Sequence, residues 1–277
     1  MRISIVISFI LWGTVFQAQE LSLLTYNIKY DAPKDTINGW ANRKDFLISQ
    51  LSYNNPDIFG TQEGLYNQLE DIKSGLNGYS YFGVGRDNGD QKGEFTAIFY
   101  NTSKVTLLEQ DTFWLSDTPS VPSLGWDASF KRICTYGKFK LQHTSKEFLV
   151  FNTHFDHMGV KAREESALLI LKKIAEINTE ELPVILMGDF NLEVGSVGIH
   201  SILKKYKDTH KEANVSFGPV GTFNGFQFEE PVSRKIDFIF TSKDIQVLKS
   251  GILSDSKDCK YPSDHFPVYV ELRLSRH

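Results

Sequence analysis

The stretch Val184-Ile185-Leu186-Met187-Gly188-Asp189-Phe190-Asn191 carries the strongest fold signal in this chain of 277 residues. Four apolar residues, two of them β-branched, stop at a glycine and are followed by a carboxylate and a carboxamide two positions apart. This pattern is typical of a buried strand that ends in polar groups, where open α/β sheets place their chemistry. Because residues two apart on an extended chain point to the same side, we expect Asp189 and Asn191 to enter one cleft. Alone, the octapeptide fits an ordinary Gly-Asp turn equally well.

The composition indicates one large domain of an ordinary globular protein. The chain has 41% hydrophobic and 23% charged residues and no linker rich in Pro, Gly or Ser. Its formal net charge of -4 argues against binding nucleic acid through a basic surface, although a local patch or a bound metal can still attract a polyanion. Cys134 and Cys259 lack the spacing of a zinc site, and a disulfide between them stays open.

The N-terminus, residues 1–19, resembles a secretory signal peptide. Arg2 is followed by an apolar run over residues 3–16 and by Ala18 near the end of the segment. This run is too short to span a bilayer. We therefore expect an exported protein, periplasmic or secreted, whose residues 20–277 form the folded domain.

The remaining chain predicts strands that are separated sometimes by helices and sometimes by turns, which indicates a mixed sheet. The predicted strands are residues 20–28, 57–61, 95–100, 148–154, 184–189, 236–240 and 266–270. The predicted helices are residues 40–51, 65–76 and 161–178, the last with a buried stripe of Leu168, Leu171, Ile174 and Ala175. Two long loops rich in aromatic residues, 116–131 and 212–235, are expected to be binding elements.

Several predicted strands begin or end with a group that can bind metal or transfer protons. These residues are Asn27, Glu63, His154, Asp189, Asn191, Asp237, Asp264 and His265. Each one alone is weak evidence, but the set is not easily a coincidence. Amide and carboxylate oxygens suit Mg²⁺ or Mn²⁺, and nearby histidines and carboxylates can move protons. The combination predicts a metal-assisted phosphoester hydrolase.

The motifs that carry these residues occur in a recognisable order. They are Thr25-Tyr26-Asn27-Ile28, Gly60-Thr61-Gln62-Glu63, Asn152-Thr153-His154, Gly188-Asp189-Phe190-Asn191, Lys235-Ile236-Asp237-Phe238 and Ser263-Asp264-His265-Phe266-Pro267-Val268. Together they resemble the endonuclease/exonuclease/phosphatase (DNase I-like) superfamily, in a bacterial branch nearest in pattern to the CCR4-like group. The resemblance covers residues 20–277. It implies a four-layer α/β sandwich of two packed mixed β-sheets flanked by helices, with the active site between the sheets.

The resemblance also implies the roles of the metal-side residues. Asn27, Glu63 and Asp264 would bind Mg²⁺ or Mn²⁺. Asp189 would orient or deprotonate the attacking water and contact a second metal if one binds. Asn191 would steady the phosphoryl oxygens.

Two histidines complete the implied catalytic set. His265 would contact the phosphate or act as a base, oriented by Asp237. His154 would be the second acid/base or phosphate-binding histidine. Its partner is either Glu94, which DNase I-like members place beside this histidine, or Asp156; we favour Glu94 because a residue two positions after His154 is better placed to leave the strand.

Other positions are candidates for substrate contacts or depart from the resemblance. Arg86 and Arg132 are either phosphate ligands or structural ion-pair partners. Trp126, with Phe223 and Phe226, can stack on a base or sugar ring, or pack within its loop. Lys29 stands where apurinic-site endonucleases carry an acidic residue, which argues against a DNA-repair role.

The sequence thus predicts an exported divalent-metal-dependent phosphoesterase that uses direct water attack on a phosphodiester or a phosphomonoester. The substrate stays open between nucleic acid or nucleotides, as for a nuclease or deadenylase, and a small phosphorylated molecule. A non-catalytic binding protein with the same fold is the alternative from another class. We expect a monomer without a membrane span.

Overall fold

The computed structural model describes residues 20–144 and 146–274, so the predicted signal peptide lies outside the described residues. In these ranges the strands are β1 (Glu20–Asn27), β2 (Ile58–Gln62), β3 (Tyr79–Phe82), β4 (Ile98–Asn101), β5 (Val105–Trp114), β6 (Ile133–Leu141), β7 (Glu147–His154), β8 (Val184–Asp189), β9 (Lys207–Asp208), β10 (Val215–Phe217), β11 (Asp237–Thr241), β12 (Gln246–Ile252) and β13 (Val268–Arg273). The helices are α1 (Trp40–Asn54), α2 (Tyr66–Gly75), α3 (Val160–Ile177), α4 (Val197–Leu203) and α5 (Thr209–Glu212).

The strands form two mixed sheets. The seven-stranded sheet has the order β10-β12-β13-β1-β2-β4-β3, and the six-stranded sheet has the order β5-β6-β7-β8-β11-β9. Strand β1 is parallel to β2 and antiparallel to β13, and β8 is parallel to β7 and antiparallel to β11. Each sheet therefore combines both pairing modes, as predicted.

Three apolar clusters hold four layers together. The cluster between the sheets includes Leu23, Ile58, Val150 and Met187. A second cluster packs α3 and α4 onto the outer face of the six-stranded sheet, and a third packs α1 and α2 onto the outer face of the seven-stranded sheet. The predicted four-layer sandwich is confirmed. None of the helices in the described ranges is long and apolar enough to cross a lipid bilayer.

Strand alternation directs the polar strand ends into the space between the sheets. Asp189 has the same parity along β8 as Met187, which belongs to the inner cluster, while Leu186 faces the outer helices. His154 likewise has the same parity along β7 as Val150, which belongs to the inner cluster, and as Asn152, which faces inward. Because side chains two apart share a face, the inner core continues directly into a row of polar groups.

The buried side chain of Asn152 links the two sheets below that row. Its Nδ2 donates to the carbonyl oxygens of Thr61 and Ala97, both at 2.9 Å, and its Oδ1 accepts from Gln62 Nε2 at 2.6 Å. A Cβ on Gly60 would lie 2.6 Å from Asn152 Cγ, so a glycine is needed for this close approach. The amide satisfies backbone and side-chain groups that are excluded from water.

Several elements differ from the sequence predictions. Strands β3, β5, β6, β9, β10 and β12 were not predicted; in β5, which lies at a sheet edge, the exposed polar run Glu109-Gln110-Asp111 interrupts the apolar positions. The strand expected over 266–270 begins at Val268, since Pro267 lacks an N–H for the ladder. Leu168 and Ala175 are exposed, so the predicted stripe is wrong at these two positions; α3 instead buries residues such as Ala167 and Ile170.

We expect Asn152→Leu to lower the free energy of unfolding by about 2 kcal/mol or more, because the buried Thr61 carbonyl oxygen loses its side-chain donor and the Ala97 carbonyl oxygen and the Gln62 amide each lose one of two partners. Urea denaturation of the purified protein measures this change. Asn67→Ala is the matched control, since Asn67 is exposed and donates one surface hydrogen bond to Asp31; we expect it to cost no more than about 0.5 kcal/mol. Equal stability of the two variants would contradict the role of Asn152.

Candidate active site

A cavity of about 600 Å³ opens where the inner polar row ends. Its walls come from both sheets and from both long loops that the sequence singled out. Among its lining side chains are Glu63, His154, Asp189, Asp264 and His265. Strand register explains this convergence, because Asp189 of β8 pairs with His154 of β7 on one side and with Asp237 of β11 on the other.

Asp189 occupies the centre of the candidate site. Its Oδ2 accepts from Asn27 Nδ2 at 2.9 Å, and its Oδ1 accepts from the backbone N–H of Asn191 at 2.9 Å. The same Oδ2 lies 3.7 Å from His154 Nε2 and 3.8 Å from His265 Nε2. Burial, followed by the charge of Asp237, raises the pKa of Asp189 to about 7.

The chain around Asp189 is shaped by backbone geometry. Gly188 has φ 146°, and a Cβ there would overlap the carbonyl oxygen of Thr153. Asn191 has φ 48°, a left-handed conformation that asparagine tolerates well. Its Nδ2 donates to the carbonyl oxygen of Phe155 at 3.1 Å, so one side of the Asn191 amide is fixed while the residue lines the cavity.

His265 and Asp237 form a buried pair. The distance between His265 Nδ1 and Asp237 Oδ2 is 2.9 Å. Burial alone lowers the pKa of His265, but Asp237, Asp189 and Asp264 outweigh burial and raise it to about 10. The imidazole is therefore positively charged near neutral pH.

Thr222 positions this pair from one of the long loops. Its Oγ1 accepts from the backbone N–H groups of Ile236 and Asp237, both at 3.1 Å, and its carbonyl oxygen accepts from the N–H of Phe266 at 2.6 Å. One buried residue thus fixes the backbone on both sides of the Asp237–His265 pair.

His154 lies beside a cationic group. Arg132 Nη1 is 3.1 Å from both ring nitrogens of His154. Of the two carboxylates that could be its partner, Glu94 Oε2 lies 3.8 Å from His154 Nδ1, whereas Asp156 Oδ2 contacts Arg132 Nε at 3.3 Å. Burial and the charge of Arg132 hold the pKa of His154 well below its usual range, so this imidazole is neutral near neutral pH.

Two of the three candidate substrate-binding residues line the cavity, and the third does not. Arg86 and Arg132 line the cavity, and their guanidinium carbons lie 5.1 and 5.9 Å from the centre of the Phe130 ring. Arg86 Nη1 also donates to Glu94 Oε2 at 2.6 Å, and burial raises the pKa of Glu94 to about 7. Trp126 does not line this cavity; it is half-buried in its loop with φ 46°.

The candidate metal ligands are connected to Asp189 through Asn27, which donates to Asp189 and to Glu63. Asn27 Nδ2 donates to Glu63 Oε1 at 3.0 Å. Lys29 Nζ lies 3.8 Å from Glu63 Oε2 and 3.6 Å from Asp264 Oδ2. An ammonium group therefore already sits between these two carboxylates, so this donor set fits a hard cation. Burial raises the pKa of Asp264, which shows how strongly this carboxylate needs a positive partner.

A second group of potential ligands is close by. Atoms of Asp189, Asp237 and His265 lie within 4.8 Å of one another, close enough to share an ion. However, Asp237 and His265 already hydrogen bond to each other, and that contact would be lost if both bound the same ion. Glu63 and Asp264, which flank an ammonium group, are therefore the better cation ligands.

The structure adds cavity residues that the sequence reasoning did not assign to the site. These are Lys29, Tyr30, Phe130, His157 and Arg234. Phe130 and Arg234 belong to the two long loops that were expected to bind ligands, but nothing in the sequence shows which loop residue points inward. Lys29 was noted only as a departure from the apurinic endonuclease pattern.

The chain resembles known proteins over most of its length. A model of the Endonuclease/Exonuclease/phosphatase family matches residues 24–265. The crystal structure of a protein of this family from Bacteroides thetaiotaomicron is 41% identical, with a TM-score of 0.91, and the match covers 94% of this chain and 100% of that one. A mannosyl-6-phosphatase from Bacteroides thetaiotaomicron VPI-5482 is also 41% identical, with a TM-score of 0.88, covering 92% and 100%.

A more distant relative supports the predicted likeness to the CCR4-like group. Nocturnin of Drosophila melanogaster is 21% identical over 284 residues, a match that covers 85% of this chain and 42% of nocturnin. The chain spans between 32% and 60% of the length of the curated relatives that it matches. The match over residues 24–265 confirms the assignment made from the motifs: the chain belongs to the Endonuclease/Exonuclease/phosphatase family.

Proposed function

We propose that this protein is an exported, Mg²⁺- or Mn²⁺-dependent phosphoesterase that hydrolyses a sugar phosphomonoester by direct water attack. The observation that carries the proposal is the position of Asp189, which is buried between two histidines and beside the candidate metal carboxylates in one cavity. The 41% identity to a mannosyl-6-phosphatase, over the full length of that chain, supports a monoester of a sugar as substrate.

In this proposal Glu63 and Asp264 hold the cation together with Asn27, whose ligand atom would be Oδ1, the oxygen that accepts from the backbone N–H of Lys29 in this structure. A bound Mg²⁺ or Mn²⁺ would polarise a phosphoryl oxygen and offset the negative charge that develops there. Glu63 is suited to this role because Lys29, His265 and hydrogen bonds from Asn27 and Tyr30 outweigh burial and lower its pKa, keeping the carboxylate ionised.

Asp189 acts as the general base toward the attacking water. A base works best when its pKa lies near the working pH, and burial brings that of Asp189 to about 7. Hydrogen bonds from Asn27 and from the backbone of Asn191 fix both carboxylate oxygens. The base is therefore held in one orientation before substrate arrives.

The two histidines perform complementary tasks. His265 carries a positive charge and donates from Nε2 to a phosphoryl oxygen, while Asp237 holds its Nδ1. His154 is neutral and lies beside Arg132, so it orients a water or a phosphoryl oxygen without adding charge. The charged and the neutral roles are thereby divided between two rings that face the same carboxylate.

We expect the mature protein to hydrolyse mannose 6-phosphate or p-nitrophenyl phosphate with Mg²⁺ or Mn²⁺ and to lose turnover in EDTA. Asp189→Asn should lower kcat by about 10³-fold, because the general base is removed. Asp45→Asn, an exposed change on α1, is the matched control and should leave kcat unchanged. Faster turnover of bis-p-nitrophenyl phosphate or RNA would favour the diesterase or deadenylase-like alternative. Absence of turnover on all these esters would favour a non-catalytic binding protein.

The charge of His265 can be tested separately by NMR titration of its imidazole in EDTA. We expect Asp237→Asn to lower the pKa of His265 by about 2, since this carboxylate is the largest influence that raises it. The variant would then lose its imidazolium as the pH rises through a lower range than in the wild type. An unchanged titration in Asp237→Asn, relative to Asp45→Asn, would contradict the assigned pairing.

Export is tested by expressing the full chain in a bacterial host and fractionating the cells. We expect the exported product to begin at residue 20 by intact-mass measurement. A chain lacking residues 1–19 is the control and should stay in the cytoplasm. An uncleaved full-length product in the cytoplasm would argue against the signal-peptide interpretation.

A further inference from the structure

Four cationic side chains line the catalytic cavity within residues 20–144 and 146–274: Lys29, Arg86, Arg132 and Arg234. Each of the first three contacts a carboxylate whose side chain is at most 17% exposed. Arg234 differs, because its ion pair is a 3.8 Å contact with Glu193 in which the two side chains are 49% and 67% exposed. Such a pair contributes little, so the charge of Arg234 stays available to a ligand.

The backbone of Arg234 is firmly held at the cavity wall. Its carbonyl oxygen accepts from the N–H of Thr222 at 2.9 Å and from the N–H of Phe223 at 3.1 Å. A Cβ on Gly221 would lie 2.6 Å from the backbone nitrogen of Arg234, so the two arms of this loop touch. The side chain therefore extends from a fixed point although it belongs to a long loop.

The Phe223 ring lies close to both Arg234 and His265. The guanidinium carbon of Arg234 is 5.5 Å from the centre of this ring. The ring centre in turn is 5.0 Å from that of His265, at an angle of 69°. The guanidinium thus lies no farther from the His265 ring than these two distances combined, inside the same cavity.

We propose that Arg234, supported by Phe223, binds the non-bridging oxygens of a terminal phosphate and makes the enzyme prefer phosphomonoesters to phosphodiesters. A monoester phosphate is a dianion above its second pKa, near neutral pH, whereas a diester is a monoanion, so an additional cation stabilises the monoester more. The guanidinium fork also matches two phosphate oxygens. This inference rests on the proposed function, since it assigns the selectivity of that same site.

The test compares kcat/KM for p-nitrophenyl phosphate and bis-p-nitrophenyl phosphate with Mn²⁺ present. We expect Arg234→Met to lower the monoester-to-diester ratio about tenfold, chiefly through loss of the monoester reaction. Arg234→Lys keeps the positive charge without the guanidinium fork, so its monoester-to-diester ratio should fall between those of the wild type and Arg234→Met. Arg273→Met is the matched control, because Arg273 pairs with Glu20 at the opposite end of β1 from Asn27; its ratio should equal that of the wild type.

Failure of this inference differs from failure of the proposed function. A wild type that turns over both esters, with an unchanged ratio in Arg234→Met, overturns the role of Arg234 alone. A wild type that turns over neither of these esters nor mannose 6-phosphate overturns the proposed function, and calorimetry with inorganic phosphate and Mg²⁺ then tests Arg234 directly. We expect the dissociation constant for phosphate dianion to rise about tenfold in Arg234→Met and to stay unchanged in Arg273→Met. Equal constants in all three proteins overturn the inference.

Discussion

The side-chain amide of Asn152 is the contact on which the geometry of the site depends. It uses both N–H groups and its oxygen to join a strand of one sheet to backbone and side-chain groups of the other, with no access to water. Such a contact contributes little net free energy when it is complete, but it is costly to break, because the buried Thr61 carbonyl oxygen would lose this donor and the Ala97 carbonyl oxygen and the Gln62 amide would each lose one of two partners. The spacing between the sheets is therefore fixed at the level immediately below Asp189 and His154.

Above that level the site concentrates negative charge where solvation is poor. Asp189, Asp264 and Glu63 are all largely buried, and burial by itself would favour their protonation. Positively charged groups on two sides of these carboxylates partly neutralise them. Lys29 lies between Glu63 and Asp264, and His265 stays protonated beside Asp237 and Asp189. The divalent cation of the proposed function would add positive charge here and relieve repulsion among the carboxylates.

The sequence was informative where regular structure determines side-chain direction. Asn27, Asp189 and His154 were grouped as polar residues at strand ends and by the family resemblance, and strand alternation explains why they meet, because every second residue of an inner strand faces the same core. The sequence was uninformative where direction depends on tertiary packing. The edge strand β5 is interrupted by the exposed polar run Glu109-Gln110-Asp111, and Leu168 fits the helical period of α3 yet points to solvent. The inward position of Arg234 depends on two backbone hydrogen bonds between arms of one loop, a pairing that no local pattern predicts.

The residues proposed for catalysis and those proposed for substrate selection lie in different parts of the fold. The groups placed at the centre of the site come from strand ends, whose register leaves no freedom to shift one without shifting its neighbours. The walls that a substrate meets beyond them include Phe130 and Arg234, which lie on the two long loops. Loop residues can change without disturbing the ladder, so one catalytic centre can serve substrates as different as a sugar phosphate and an RNA strand. In this chain Arg86 and Arg132 are neutralised by buried carboxylates, and the side chain that still offers an uncompensated charge to a substrate is Arg234. We therefore propose that selection of the substrate takes place at the loops, through Arg234, whose ion pair with Glu193 is long and exposed.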